Sequence, residues 1–144
     1  MKKRTKTFLL LTATVIFSII VAVIVYYDMN NSYQKAKVEM SEIQSCDDLV
    51  YEVNNISTND YIILQGYAYF AETESTSDVQ IGLYDDTTNE LIKLSTVVES
   101  VPDVGNVGFY AKISKDKLNL KKSYDIVLIY NGNEYYNFNE VLED

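Results

Sequence analysis

The side chains of this chain that could do chemistry are carboxylates and tyrosines. Histidine is absent and cysteine occurs once, as Cys46. That composition excludes Ser-His and Cys-His nucleophiles and the zinc sites built from His or several Cys. Two adjacent acid pairs stand out, Asp47-Asp48 and Asp85-Asp86. Glycoside hydrolysis needs two carboxyl groups facing each other across a substrate, whereas neighbours in a strand or turn point apart. The pairs therefore read as exposed acidic turns, and a carboxylate-based enzyme is the most distant functional reading. Without His, a general base would be a perturbed Asp, Glu, Lys or Tyr, and no motif marks one.

Asp85, Asp86, Asn89 and Glu90 put four hard oxygen ligands within one loop, a set suited to calcium. They lack the spacing and the central Gly of an EF-hand loop. The competing reading is a solvated turn, so no cofactor is expected and calcium is the one ion the residues could take.

Tyrosine is used 13 times and tryptophan never. Tyr61, Tyr67 and Tyr69 are separated by even intervals and so share one face of a strand. An exposed row of such rings suits a glycan or a protein, because the ring stacks and the hydroxyl forms hydrogen bonds. Tyrosine also fills half-buried strand positions in any small β-domain, and the sequence leaves both readings open.

The elements that would carry these residues are set by hydropathy. Residues 8–27, from Phe8 to Tyr27, form 20 positions without a charge. A helix of that length spans about 30 Å, the hydrocarbon core of a bilayer. Lys2, Lys3, Arg4 and Lys6 precede it and Asp28 follows. The positive-inside rule predicts a cytoplasmic basic tail at 1–7, a single-pass signal anchor at 8–27 and an extracytoplasmic C-terminal body. A cleaved signal has a shorter apolar core and a small-x-small cleavage site, and the residues after Val25 contain no such site.

Four of the 12 basic residues and none of the 21 acidic ones precede residue 28, which leaves residues 28–144 with a net charge of −13. A body so acidic does not suit phosphate binding, so nucleic acid is not expected as a partner. Residues 28–45 are polar with a patchy helical period and the pair Lys35–Glu39, and are read as a short stalk, helical or partly so. Cys46 lies at its end, either paired with a second chain or, the favoured reading, packed as a small residue at the start of the domain.

From residue 46 to 144 the period becomes alternating. Strands are predicted over 49–56, 61–71, 78–85, 91–98, 107–113, 124–130 and 135–138. In the second, Ile62, Leu64, Ala68 and Phe70 share one face, and Tyr61, Ile63, Gln65, Tyr67 and Tyr69 the other. Gly66 in its middle predicts a bulge or a close backbone approach. Asn131-Gly132-Asn133 predicts a tight hairpin. Leu118 and Leu120 are predicted to plug one end, and Tyr124 to make a hydrogen bond of the tyrosine-corner kind. The fold class is all-β, an Ig-like antiparallel β-sandwich of about seven strands.

The skeleton of residues 103–130 (DVGNVGFYAKISKDKLNLKKSYDIVLIY), with Gly66-Tyr67-Ala68 and IGLYD at 81–85 upstream, resembles Ig-like β-sandwich modules of Gram-positive bacterial surface and membrane-attached proteins. The resemblance implies a cell-envelope location and the sandwich fold, and assigns no catalytic residue. The expected function is non-enzymatic: a protein-binding or accessory subunit of a cell-envelope assembly, held to the membrane by residues 8–27. A wall-glycan-binding module is the alternative.

Overall fold

The computed structural model describes residues 12, 14–24, 33–71, 79–101 and 105–142. It divides into two units, residues 1–32 and 33–144. In the first, residues 14–24 are helical. Their apolar side chains are exposed, Phe17, Val23 and Ile24 among them. The Ser18 hydroxyl donates to the Thr14 carbonyl at 2.9 Å, which satisfies a polar group inside an apolar helix. Among the described residues no helix is long and apolar enough to cross a membrane. The basic tail at 1–7 and both ends of the predicted anchor lie outside the described residues.

The second unit is all-β, and its described residues form ten strands: β1 (Tyr33–Lys37), β2 (Ile43–Gln44), β3 (Leu49–Ser57), β4 (Tyr61–Phe70), β5 (Val79–Asp85), β6 (Glu90–Leu94), β7 (Thr96–Val101), β8 (Gly105–Ser114), β9 (Asp125–Tyr130) and β10 (Glu134–Val141). They form a six-stranded sheet in the order β1-β6-β5-β9-β10-β2 and a four-stranded sheet in the order β3-β4-β8-β7. All described pairs are antiparallel except β10 with β2. Alternation explains the packing. Ile62, Leu64 and Ala68 of β4 and Phe109, Ala111 and Ile113 of β8 meet Ile81, Leu83, Ile92, Leu94, Ile126 and Leu128 of the larger sheet in one core. Burying each such side chain contributes about 1.5–3 kcal/mol.

The predicted stalk is corrected over residues 33–45, and its first residues, 28–32, lie outside the described residues. Residues 33–37 form edge strand β1 beside β6, with Ala36 opposite Leu91. Residues 43–44 form β2 at the opposite edge of the same sheet. The chain between them crosses the outer face of that sheet as a strap. It buries Val38 at 3% exposure in a second cluster with Tyr84, Leu91, Val127 and Ile129. Of the positions that give the patchy helical period, Ala36, Val38 and Ile43 touch this cluster, whereas Tyr33 packs against the main core and Met40 is exposed. Only one turn of the segment, Met40–Glu42, is helical, and it is of the 3-10 type. Gly82 lies under this cluster, where a Cβ would stand 2.8 Å from Leu91 Cδ1.

The strand predicted over 91–98 is two strands. β6 ends at Leu94 and β7 begins at Thr96 in the other sheet. Ile92 and Leu94 face the core from one sheet, and Val98 packs against it from the other. The alternation therefore runs unbroken through the corner and hides it. The Thr96 hydroxyl secures the switch by accepting from the Ile81 N–H at 2.9 Å and donating to the Leu94 carbonyl.

Gly66 makes the close approach expected of it: a Cβ there would stand 1.8 Å from the Glu52 carbonyl oxygen. Asn131 and Gly132 take φ of 50° and 77° in the β9–β10 hairpin, the left-handed region in which Gly and Asn are favoured. Leu118 plugs the core at 9% exposure, whereas Leu120 stays 43% exposed. The Tyr124 hydroxyl accepts the Asn119 N–H at 3.1 Å, as a tyrosine corner would.

Candidate binding face

The outer face of the four-stranded sheet is built on β4. Ile62, Leu64 and Ala68 are fully buried on its inner side. Strict alternation then turns Tyr61, Ile63, Gln65, Tyr67 and Tyr69 away from the core. Tyr61, Tyr67 and Tyr69 are half-buried by their neighbours and belong to neither core cluster. The Tyr67 and Tyr69 rings lie 6.2 Å apart at 30°. The Lys112 ammonium sits 5.0 Å from the Tyr61 ring centroid, within the range of a cation–π contact.

Strand pairing brings further residues to the same face. Tyr110 of β8 lies opposite both Gln65 of β4 and Val97 of β7. On the other flank Val50 lies opposite Tyr69, and Ile56 opposite Ile63. Val97 and Ile56 are 57% and 41% exposed. The face is therefore aromatic and aliphatic in part, with Glu52, Asn54, Gln65 and Lys112 interspersed among the tyrosines as further hydrogen-bonding groups. Tyr110 is the member that sequence reasoning missed. Its outward direction follows from inward Phe109 and Ala111, but its place beside β4 depends on which strands pair.

The other described tyrosines pack. Tyr84 is 1% exposed in the second cluster and its hydroxyl donates to Asn89 Oδ1 at 3.0 Å. Tyr130 and Tyr136 pack edge-on against Phe70, and Tyr51 packs against Phe138. Cys46 is half-buried against the main core with its thiol unbonded.

Three of the four calcium candidates, Asp85, Asn89 and Glu90, are engaged with protein groups. Asp85 is the one buried charged residue among those described, at 4% exposure. Its Oδ1 accepts the Thr87 N–H at 3.0 Å and the Thr87 hydroxyl, and its Oδ2 takes the Lys122 ammonium. Burial pushes its pKa up, but hydrogen bonds from Lys122, Thr87 and Thr88 together hold it well below the usual carboxylate range. The same hydrogen bond raises the pKa of Lys122. Asn89 takes a left-handed φ of 53° and donates to Glu39 Oε2 at 3.1 Å. Glu90 pairs with Lys35 at 2.9 Å, and Asp86 faces solvent. Among the described residues no group of three or more acidic or Cys side chains converges to hold a metal. Asp47 and Asp48 are exposed in the turn before β3.

Comparison of the chain with known protein families, curated proteins and solved structures finds no match.

Proposed function

We propose that this chain is a non-enzymatic, single-pass, membrane-anchored protein that presents its β-domain outside the cytoplasm and docks an envelope protein on the outer face of the four-stranded sheet. The uncharged run at 8–27 and the charge step across it support the anchor and its orientation. The Ig-like reading of the domain rests on the sequence resemblance. The observation that carries the docking reading is the outward cluster of Tyr61, Tyr67, Tyr69 and Tyr110 around Ile63 and Gln65. A sheet surface of rigid rings with aliphatic and polar neighbours suits an extended protein surface better than a small molecule, which needs a concavity.

A photocrosslinking residue in place of Gln65 should yield one discrete protein adduct in intact cells, and Tyr67→Ala should abolish it. The same residue in place of exposed Gln34 on β1 should yield none. Equal labelling from both positions would sink the docking reading. The adjacent Tyr67 and Tyr69 rings also favour a second reading, stacking on a wall glycan. That reading requires the full chain to sediment with purified cell wall and Tyr67→Ala to stay in solution. For the orientation, protease added to intact spheroplasts should remove the β-domain, and a protected domain would overturn it.

A further inference from the structure

The register of the four-stranded sheet sets one transverse row across the tyrosine face. Glu52 of β3 lies opposite Tyr67 of β4, Tyr67 opposite Gly108 of β8, and Gly108 opposite Glu99 of β7. Each strand gives one residue, and the two outermost are carboxylates. Both glutamates are exposed. Neighbouring strands stand about 4.8 Å apart, which sets Glu52 and Glu99 about 14 Å from each other across the sheet. Glu52 Oε1 accepts the Asn54 amide at 3.3 Å, a neutral donor that leaves the negative charge in place.

Rings lie between and beside these carboxylates. Tyr69 stacks on Tyr67 at 6.2 Å, and Tyr110 stands in the next row, opposite Gln65. The face itself shows what such a ring holds. The Lys112 ammonium lies 5.0 Å from the Tyr61 ring centroid. Among the described residues no cation stands over Tyr67, Tyr69 or Tyr110. The face of an aromatic ring is negative and attracts cations, arginine most often.

Building on the docking reading, we propose that this face takes an extended basic segment of the docked protein, with two arginines four residues apart. An extended chain rises about 3.4 Å per residue and alternates its sides, so residues i and i+4 point the same way about 14 Å apart. That spacing matches the separation of Glu52 from Glu99. A segment laid along the row puts one guanidinium on each carboxylate, where paired hydrogen bonds form, and passes its middle residue over Tyr67 and Gly108. The guanidinium planes stack on the neighbouring rings. The net charge of −13 over residues 28–144 draws such a segment in and repels an acidic one.

The test uses the full chain in detergent micelles and fluorescent glycine-serine peptides that differ only in where two arginines stand. The peptide with arginines four residues apart should bind about tenfold more tightly than its isomer with adjacent arginines, in which only one can reach a carboxylate. Glu52→Lys with Glu99→Lys should erase that preference. The charge-matched pair Asp86→Lys with Glu140→Lys, at exposed positions of the other sheet, should keep it. In cells the first pair should abolish the Gln65 adduct and the second should leave it. Equal or absent binding of the two peptides by the unaltered chain, or a Gln65 adduct indifferent to reversal at 52 and 99, would overturn the proposal and leave docking in place. Absence of any adduct from a chain altered only at Gln65 would remove the docking reading and the proposal with it. Sedimentation with purified cell wall, without preference between the peptides, would overturn the proposal in favour of a glycan.

Discussion

Lys122 closes the end of the sandwich by placing its ammonium on the buried carboxylate of Asp85, 37 residues away in sequence. Asp85 continues the inward series Val79, Ile81, Leu83 of β5, so a charge stands where a core residue is due. It is tolerated because each oxygen has a donor, Thr87 from its own turn and Lys122 from the loop before β9. The pair ties the β5–β6 hairpin to the loop that ends in Tyr124.

This pair makes stability depend on acid. A carboxylate whose folded pKa is depressed contributes stability that is present above its unfolded value, near 4 for Asp, and lost as pH falls through the folded value. Asp85→Asn should therefore cost about 1–3 kcal/mol at pH 7. The gap between the urea midpoints of the two proteins should hold from pH 7 to about pH 4 and narrow progressively as the pH falls further. A gap that stays constant below about pH 4 would show that the charge of Asp85 does not contribute.

Two glycines should differ in cost. Gly66→Ala drives a methyl into the Glu52 carbonyl of the neighbouring strand, which cannot yield without breaking the β3–β4 ladder. A loss of about 3 kcal/mol is expected. Gly82→Ala meets only the end of the Leu91 side chain at 2.8 Å and of Ile129 at 3.1 Å, together with an ordinary contact to the Ile92 carbonyl. It should cost about 1 kcal/mol. Urea denaturation ranks the two directly.

Tyrosines on the face and in the clusters should separate in the same way. Tyr67→Ala leaves Ile62, Leu64 and Ala68 in place and should shift stability by less than about 1 kcal/mol while abolishing the Gln65 adduct. Tyr84→Ala empties a position of 1% exposure and should cost about 3–5 kcal/mol. A collapse of stability in Tyr67→Ala would make that ring a packing residue and remove the docking reading.

The strap predicts where a stable fragment begins. A fragment of residues 46–144 lacks β1, Val38 and β2, and uncovers Tyr84, Leu91, Val127 and Ile129. It should aggregate or melt well below a fragment of residues 33–144. Within the longer fragment, Val38→Asp should destabilise by about 2–4 kcal/mol by burying an unpaired charge, read from the thermal midpoint.

Much of this architecture was legible because side-chain alternation is a local property. The inward series of β4, β5, β8 and β9 follows from residue types at a period of two, and so does the outward direction of Tyr61, Tyr67 and Tyr69. Gly66, Tyr124 and the Asn131-Gly132 turn were legible because their geometry depends on neighbours a few residues away. The acidic charge of the body and the apolar run at 8–27 are properties of composition and hold whatever the fold.

Pairing between distant segments is different, because it depends on which surfaces meet once the chain is compact. Residues 33–44 look like a polar linker in isolation. They become two edge strands and a strap only because the outer face of the larger sheet offers Leu91, Val127 and Ile129 to cover. The corner between Leu94 and Thr96 is silent, since residues on both sides of it face one core. Tyr110 joins the tyrosine row through the pairing of β8 with β4. Asp85 reads as a loop ligand until Lys122 arrives from 37 residues away to take its oxygen. The sequence alone determined which face of each strand is apolar, whereas only the tertiary structure decided which strands lie side by side, because that choice is made by surface complementarity between segments far apart in the chain.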